Sequence, residues 1–217
     1  MLYSAETRWF FRGDVDAHVE AWITAGGMTS EQAERTDEYI VLPGCRTAGV
    51  KFREGNFEVK AATSPSRDFS LGKTIAGSRE TWVKWSRPSN DTGALRDDER
   101  WAFVRKRRKL RLFSLESTTP EEKPCDGPWL SAGCQVERTL VTAILRGAAD
   151  GPPIDRDWRN VDAWWTIGFE AFGEPGEIDA SLDRMLEYFV EDAPDIRLPH
   201  GASMAYPAWL AALAAGA

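Results

Sequence analysis

Seven basic residues lie on segments of the chain that alternate between polar and apolar side chains. Lys51 and Arg53 are separated by one residue, as are Lys106 and Arg108. The full set is Arg8, Lys51, Arg53, Lys60, Lys84, Lys106 and Arg108. Side chains at positions i and i+2 of a β-strand share a face, so each segment predicts one basic face. Arginine binds phosphate oxygens through paired hydrogen bonds and lysine supplies a compact charge, so these faces predict a site for a multiply charged anion.

Carboxylates join the basic face, and apolar residues occupy the opposite one. Glu6 lies two residues before Arg8, while Trp9 falls on the other face. Glu137 and Glu170 hold similar positions on later segments. An antiparallel sheet commonly turns its polar face to water, which is the more frequent explanation for any single lysine or arginine. A closed barrel can instead enclose that face around a charged ligand, and the size of the basic set favours this interpretation.

The pattern of the chain predicts strands and helices that would position these residues. A first strand is predicted to end near Arg12, before a helix with Asp14 as its N-cap. Helices are also predicted over Glu177–Val190 and over the apolar tail Tyr206–Ala217. Further strands are predicted over about 37–42, 48–54, 56–62, 79–87, 134–145 and 164–172, with two strands over 100–114 that meet at a bend near Arg108 and a loop over 118–131. This order predicts an α+β fold, mainly antiparallel β, in which a barrel carries covering helices within a single domain spanning 1–217.

Composition excludes several classes of protein. A chain of 217 residues with 42% hydrophobic and 28% charged residues is globular rather than disordered. The net charge of −7 argues against a general nucleic-acid binder, although the basic run Arg105–Arg111 alone would be compatible with one. The three cysteines, Cys45, Cys125 and Cys134, show no metal-ligand or redox spacing. With no signal peptide and no apolar run of membrane-span length, we expect a cytoplasmic protein that does not enter a membrane.

Taken in order, these residues resemble the CYTH domain, also called the triphosphate tunnel metalloenzyme superfamily, of which the chain would be a divergent member. That family opens with a Glu-x-Glu-x-Lys strand, continues with basic pairs and closes with inward-facing carboxylates. The corresponding segments here are Ser4-x-Glu6-x-Arg8, Lys51-x-Arg53, Lys106-x-Arg108 and the closing Gly168-x-Glu170, followed by a C-terminal Ser-Tyr segment at Ser203–Leu210. The resemblance covers nearly the whole chain. It implies a closed or nearly closed eight-stranded tunnel barrel that holds a triphosphate-type ligand.

The resemblance also implies roles for individual residues. Glu6, Glu137 and Glu170 would be catalytic and would hold Mg²⁺ or Mn²⁺, which favour oxygen ligands. The seven basic residues would bind the substrate. Two departures bear on the metal, because Ser4 and Gly168 stand where the family has acidic residues. Salt bridges to the basic residues remain the competing explanation for the three glutamates.

Two functions from different classes follow. The first is a metal-dependent phosphohydrolase, a triphosphatase that acts on an inorganic or organic triphosphate in the basic tunnel. The alternative is a non-catalytic module that binds a polyphosphate, a nucleotide or another anion beside a degenerate metal site. Cyclase activity ranks third, since nothing in the chain identifies a purine pocket. In each case the expected partner is a small polyanion, and neither nucleic acid nor membrane is expected.

Overall fold

A computed structural model describes residues 2–89, 101–128, 130–146, 158 and 161–216. Within these residues the chain forms ten strands, three α-helices and a 3-10 turn at His200–Ala202. The strands are β1 (Leu2–Arg12), β2 (Ser30–Ile40), β3 (Ala48–Arg53), β4 (Asn56–Ala62), β5 (Arg67–Leu71), β6 (Ile75–Pro88), β7 (Trp101–Ser114), β8 (Glu121–Lys123), β9 (Gly133–Arg146) and β10 (Trp164–Phe172). The helices are α1 (Ala17–Ala25), α2 (Ile178–Asp192) and α3 (Tyr206–Ala215).

Eight of the strands close into an antiparallel barrel. Their order is β1-β10-β9-β7-β2-β3-β4-β6, and β6 pairs with β1 to complete the circuit. The short strands β5 and β8 pair with β6 and β7 and lie off the circuit. The prediction of a mainly β, closed eight-stranded barrel with covering helices is therefore confirmed.

Several predicted boundaries were wrong. The bend near Arg108 is absent, because β7 runs unbroken from Trp101 to Ser114 and is hydrogen-bonded to β2 on one side and β9 on the other. The N-cap of α1 is Asp16, whose carboxylate accepts from the backbone N–H groups of His18 and Val19, and not Asp14. Strand β8 lies inside the predicted loop. Residues 100, 129 and 217 of the predicted elements lie outside the described residues.

An outer core fixes one wall of the barrel. Helix α2 places its apolar stripe, which includes Leu182, Met185 and Phe189, against the outward faces of β1, β9 and β10. Phe189 packs edge-on to Phe169 of β10, with ring centroids 4.9 Å apart. Burial of each large apolar side chain of this kind contributes about 1.5–3 kcal/mol to the stability of the fold, so the packing of α2 stabilises this wall of the barrel. None of the described helices is long and apolar enough to cross a bilayer.

A second core fills one end of the barrel interior. Phe10 continues the inward face of Glu6 and Arg8 on β1, and it stacks on Trp209 of α3 at a centroid distance of 4.8 Å. The other inward residues of this end that join the same cluster are Tyr39, Val41, Ala102, Val104 and Val141. The backbone N–H of Met204 donates to the carbonyl of Arg8 at 2.9 Å, which ties the segment before α3 to β1. The barrel interior is thus apolar at the α3 end and charged along the remainder.

Candidate functional site

The charged part of the barrel interior encloses a cavity of about 140 Å³. All ten residues predicted for the site line it: Glu6, Arg8, Lys51, Arg53, Lys60, Lys84, Lys106, Arg108, Glu137 and Glu170. Strands from every part of the barrel contribute, because alternate residues on each strand point inward. Among the described lining residues, eight are basic and five are glutamates, so the cavity has an excess of positive charge.

Asp37 is a buried carboxylate that forms ion pairs with three of the basic residues. It is fully buried and lies 2.9 Å from Nζ of Lys106, 3.6 Å from Nζ of Lys51 and 3.1 Å from Nε of Arg35. Burial alone would raise the pKa of Asp37, but these three cations lower it overall. Asp37 therefore remains ionised at neutral pH and neutralises part of the charge at the bottom of the cavity.

Lys106 lies at the buried end of the cavity. Its Nζ donates to Asp37 Oδ2 and, at 2.7 Å, to the hydroxyl of Tyr39, and it lies 3.8 Å from the ring centroid of Tyr206. Burial lowers the pKa of Lys106 to about 7, although Asp37 acts in the opposite direction. The Tyr206 hydroxyl is buried and has no hydrogen-bond partner within the described residues. An anionic ligand bound beside Lys106 would raise the pKa of its amino group and keep it protonated.

Glu58 organises the basic residues of β3, β4 and β6. Lys51 approaches it at 3.1 Å, Arg53 at 2.7 Å and Lys84 at 3.9 Å. Burial would raise the pKa of Glu58, but Lys51, Arg53 and Lys84 lower it. One carboxylate cannot satisfy three cations, so these side chains retain donors that can face an incoming anion.

Arg8 and Gly168 are coupled across β1 and β10. The guanidinium of Arg8 pairs with Glu137 at 2.6 Å and donates to Thr166 at 2.9 Å. A Cβ atom on Gly168, directly opposite on β10, would lie 2.5 Å from Cζ of Arg8. Gly168 thus provides the space that the guanidinium occupies. Arginine at position 8 and glycine at position 168 are therefore physically linked.

Glu137 is held by two arginines. Arg8 binds its Oε1, and Arg108 approaches Oε2 at 3.1 Å. Burial would raise the pKa of Glu137, but Arg8 and Arg108 lower it. Both oxygens are engaged, so a metal at Glu137 would compete with two charge-assisted hydrogen bonds.

A row of three glutamates crosses β10, β1 and β6. Glu6 is in register with Glu170 on one side and with Glu80 on the other. Lys60 and Ser4 both donate to Glu6. Repulsion from Glu6 and burial raise the pKa of Glu170, and burial and Glu6 raise the pKa of Glu80 to about 7. The three carboxylates of this acidic row therefore lie side by side on this part of the wall, and Lys60 neutralises only part of their charge.

Glu80 was missed as a site residue, as were Arg35, Tyr39 and Tyr206. Arg35, Asp37 and Tyr39 alternate along β2, but the predicted strand began only at Asp37. Trp82 lies on the inward face of β6 and donates to Glu80 at 3.2 Å, whereas Trp85 points outward and is partly exposed. The alternation of Glu80, Trp82 and Lys84 was the available signal. Strand alternation gives no signal for Tyr206, which comes from a helix.

Gly168→Ala tests the coupling with Arg8. The added methyl group overlaps the guanidinium, so we expect the variant to lose about 1–3 kcal/mol of unfolding free energy. Arg8→Lys in the same chain should restore much of the loss, because the lysine side chain leaves the space free. Urea unfolding of both single variants and the double variant measures the coupling energy. Gly27→Ala is the control, because its Cβ would meet nothing within 4 Å. Strictly additive effects would contradict the coupling.

Sequence comparisons do not assign the chain to a family. No protein-family model matches the chain, and no curated protein matches it. Within the described residues, no three histidine, cysteine, aspartate or glutamate side chains form a ready-made metal-binding group. The function therefore has to be inferred from the cavity.

Proposed function

We propose that the cavity binds a triphosphate-type anion and that the protein hydrolyses a phosphoanhydride bond of that anion with the help of a divalent cation. One observation carries the proposal: eight basic side chains converge on one closed interior and outnumber the five glutamates that line it. Enclosing this excess charge without an anion is unfavourable, since buried like charges repel and lose hydration. The resemblance to the CYTH domain points to the same ligand.

The size of the cavity limits what it holds. Pockets for drug-sized ligands measure about 300–1,000 Å³, whereas this cavity measures about 140 Å³. The space suits the anionic part of a ligand and leaves little room for a nucleoside beside it. Lys51, Arg53 and Lys84 share one carboxylate, so their remaining donors can bind phosphate oxygens.

Of the three glutamates predicted from the sequence to hold a divalent cation, Glu6 and Glu170 of the acidic row fit one better than Glu137, whose two oxygens bind Arg8 and Arg108. Repulsion from Glu6 is the main cause of the raised pKa of Glu170, and it adds to the effect of burial on the pKa of Glu80; a cation would relieve that repulsion. Glu6 and Glu170 would hold Mg²⁺ or Mn²⁺ together with the phosphates of the ligand, with Glu6 exchanging its bond from Lys60. Bound there, the ion would neutralise phosphate charge and orient water. Glu137 instead positions Arg8 and Arg108.

The side chains of the chain itself supply the remaining chemistry. The basic residues fix the phosphates and stabilise the charge that develops on the leaving oxygen. Trp82 donates to Oε2 of Glu80, which leaves Oε1 free to accept a proton. Water adds to the terminal phosphorus, its proton passes to Glu80, and the anhydride P–O bond breaks with its electron pair on the leaving phosphate. A pKa of about 7 suits Glu80 to this exchange.

The second candidate is a module that binds the same anion without turnover. It is favoured by the ion pairs that already occupy Glu6 and Glu137 and by the absence of acidic side chains at Ser4 and Gly168. Both candidates require the basic residues, and they differ only in whether hydrolysis occurs.

Phosphate release separates the two candidates. Tripolyphosphate, ATP and thiamine triphosphate are each incubated with Mg²⁺, Mn²⁺ or EDTA. We expect metal-dependent release that falls about 10²–10³-fold in Glu170→Gln, as for other groups that stabilise charge in a transition state. Glu174→Gln, an exposed glutamate just beyond β10, is the control and should retain full activity. Absence of release, together with thermal stabilisation by tripolyphosphate, would support the binding module. Absence of both would refute the proposal.

A further inference from the structure

The cavity has an exposed end and a buried end. Lys84 and Lys60 retain 31% and 29% of their side-chain exposure, and Arg53 retains 23%. Lys106 retains only 5%. Exposure thus decreases from the β3–β4 and β6 rim toward Lys106, and an anion approaches along this gradient of lysine and arginine side chains.

Helix α3 blocks the interior beyond Lys106. Ala205, Tyr206 and Pro207, at the start of the helix, line the cavity itself. Behind them Trp209 and Leu210 are almost completely buried among the inward-facing side chains of β1, β2, β7 and β9. This packing fills the interior beside β1, β2, β7 and β9, and interiors packed to protein density do not admit a phosphate chain.

We propose that the cavity is blind and accepts a polyphosphate only by a free chain end, which enters at Lys84 and stops at Lys106. The inference rests on the proposed function and adds the form of the substrate. A short linear chain lies wholly inside the cavity. A long chain leaves its remaining phosphates outside the rim, so every long chain offers two binding positions, one at each end, however long it is.

The form of the substrate also determines the bond that is cleaved. The acidic row lies on the rim side of the inserted end, since Glu6 bonds Lys60, which is one of the partly exposed lysines, and Glu80 is in register with Glu6. Hydrolysis would therefore release short products from the end of a chain. Cleavage at internal positions would require the chain to pass through the barrel, which the packing of Trp209 and Leu210 prevents.

Calorimetric titration of polyphosphates of increasing length tests the inference. Tripolyphosphate, a medium-length chain and a long chain are compared with a long chain whose two ends carry bulky phosphoramidates. We expect two protein molecules per long linear chain, the same affinity for each end as for tripolyphosphate, and at least tenfold weaker binding of the capped chain.

Two other outcomes would overturn the inference in different ways. Stoichiometry that rises with chain length, or equal binding of the capped chain, would show that the chain binds along its length, and the proposed function would stand. Lack of binding of tripolyphosphate itself would refute the proposed function and this inference together.

Discussion

Asp37→Ala should lower the free energy of unfolding by about 3–5 kcal/mol, which is typical for removal of one partner from a buried ion pair. Asp37 is fully buried and contacts Lys106, Lys51 and Arg35. Its removal leaves three cations without their shared carboxylate, although Lys51 keeps its ion pair with Glu58 at 3.1 Å. Asp37→Asn keeps the shape and some of the hydrogen bonds, so its loss should be smaller but in the same direction.

Urea unfolding near pH 7 measures this effect, and Glu34→Ala provides the control. Glu34 lies on the same strand, is about half exposed and approaches Arg105 at 3.5 Å. Exposed pairs of this kind contribute about 0–1 kcal/mol. Because the pKa of Asp37 is lowered in the folded protein, its contribution is present above about pH 4, the unfolded value, and is lost as the pH falls below it. Equal losses for Asp37→Ala and Glu34→Ala would contradict the role of Asp37 as an anchor.

Local alternation was sufficient to find seven of the eight basic residues that line the cavity. The spacing of Lys51 and Arg53, and of Lys106 and Arg108, determines which face each pair occupies once the segment is a strand. Closure of the barrel then brings such faces together without further information from the residues. The amphipathic stripe of α2 was predicted for a similar reason, because helix periodicity is local.

Contacts between distant strands could not be found in this way. Asp37 meets Lys106 across 69 residues, and the space above Gly168 is filled by a side chain 160 positions earlier. The acidic row depends on the register of β1 with both β6 and β10, which local patterns do not determine. The ion pairs of Glu137 likewise became visible only in three dimensions. For this reason the three glutamates could not be divided between metal binding and salt bridges from the sequence.

The affinity of the cavity for tripolyphosphate without metal should fall as the pH rises from 6 to 8. The pKa values of Glu80 and Lys106 are both about 7, raised for Glu80 by burial and by Glu6, and lowered for Lys106 by burial. As the pH passes 7, Glu80 gains a negative charge and Lys106 loses a positive one. Both changes make the cavity less positive and so weaken its binding of an anion. Each linked proton changes the affinity by up to about tenfold per pH unit.

Two variants separate these contributions from the titration of the ligand. Glu80→Gln is uncharged at every pH and should reduce the pH dependence. Lys106→Arg stays charged and should reduce it independently. If the variants kept the profile of the unmodified protein, neither side chain would be linked to binding.

The central claim is that the barrel interior binds a triphosphate-type anion, and calorimetric titration of tripolyphosphate at pH 6 tests it most directly. We expect saturable binding of one anion per protein. Lys51→Ala should weaken it about 10- to 100-fold, the effect of removing a hydrogen bond to a charged group. Lys73→Ala, an exposed lysine on a surface turn, should bind as the unmodified protein does. No saturable binding, or equal weakening by both substitutions, would contradict the claim.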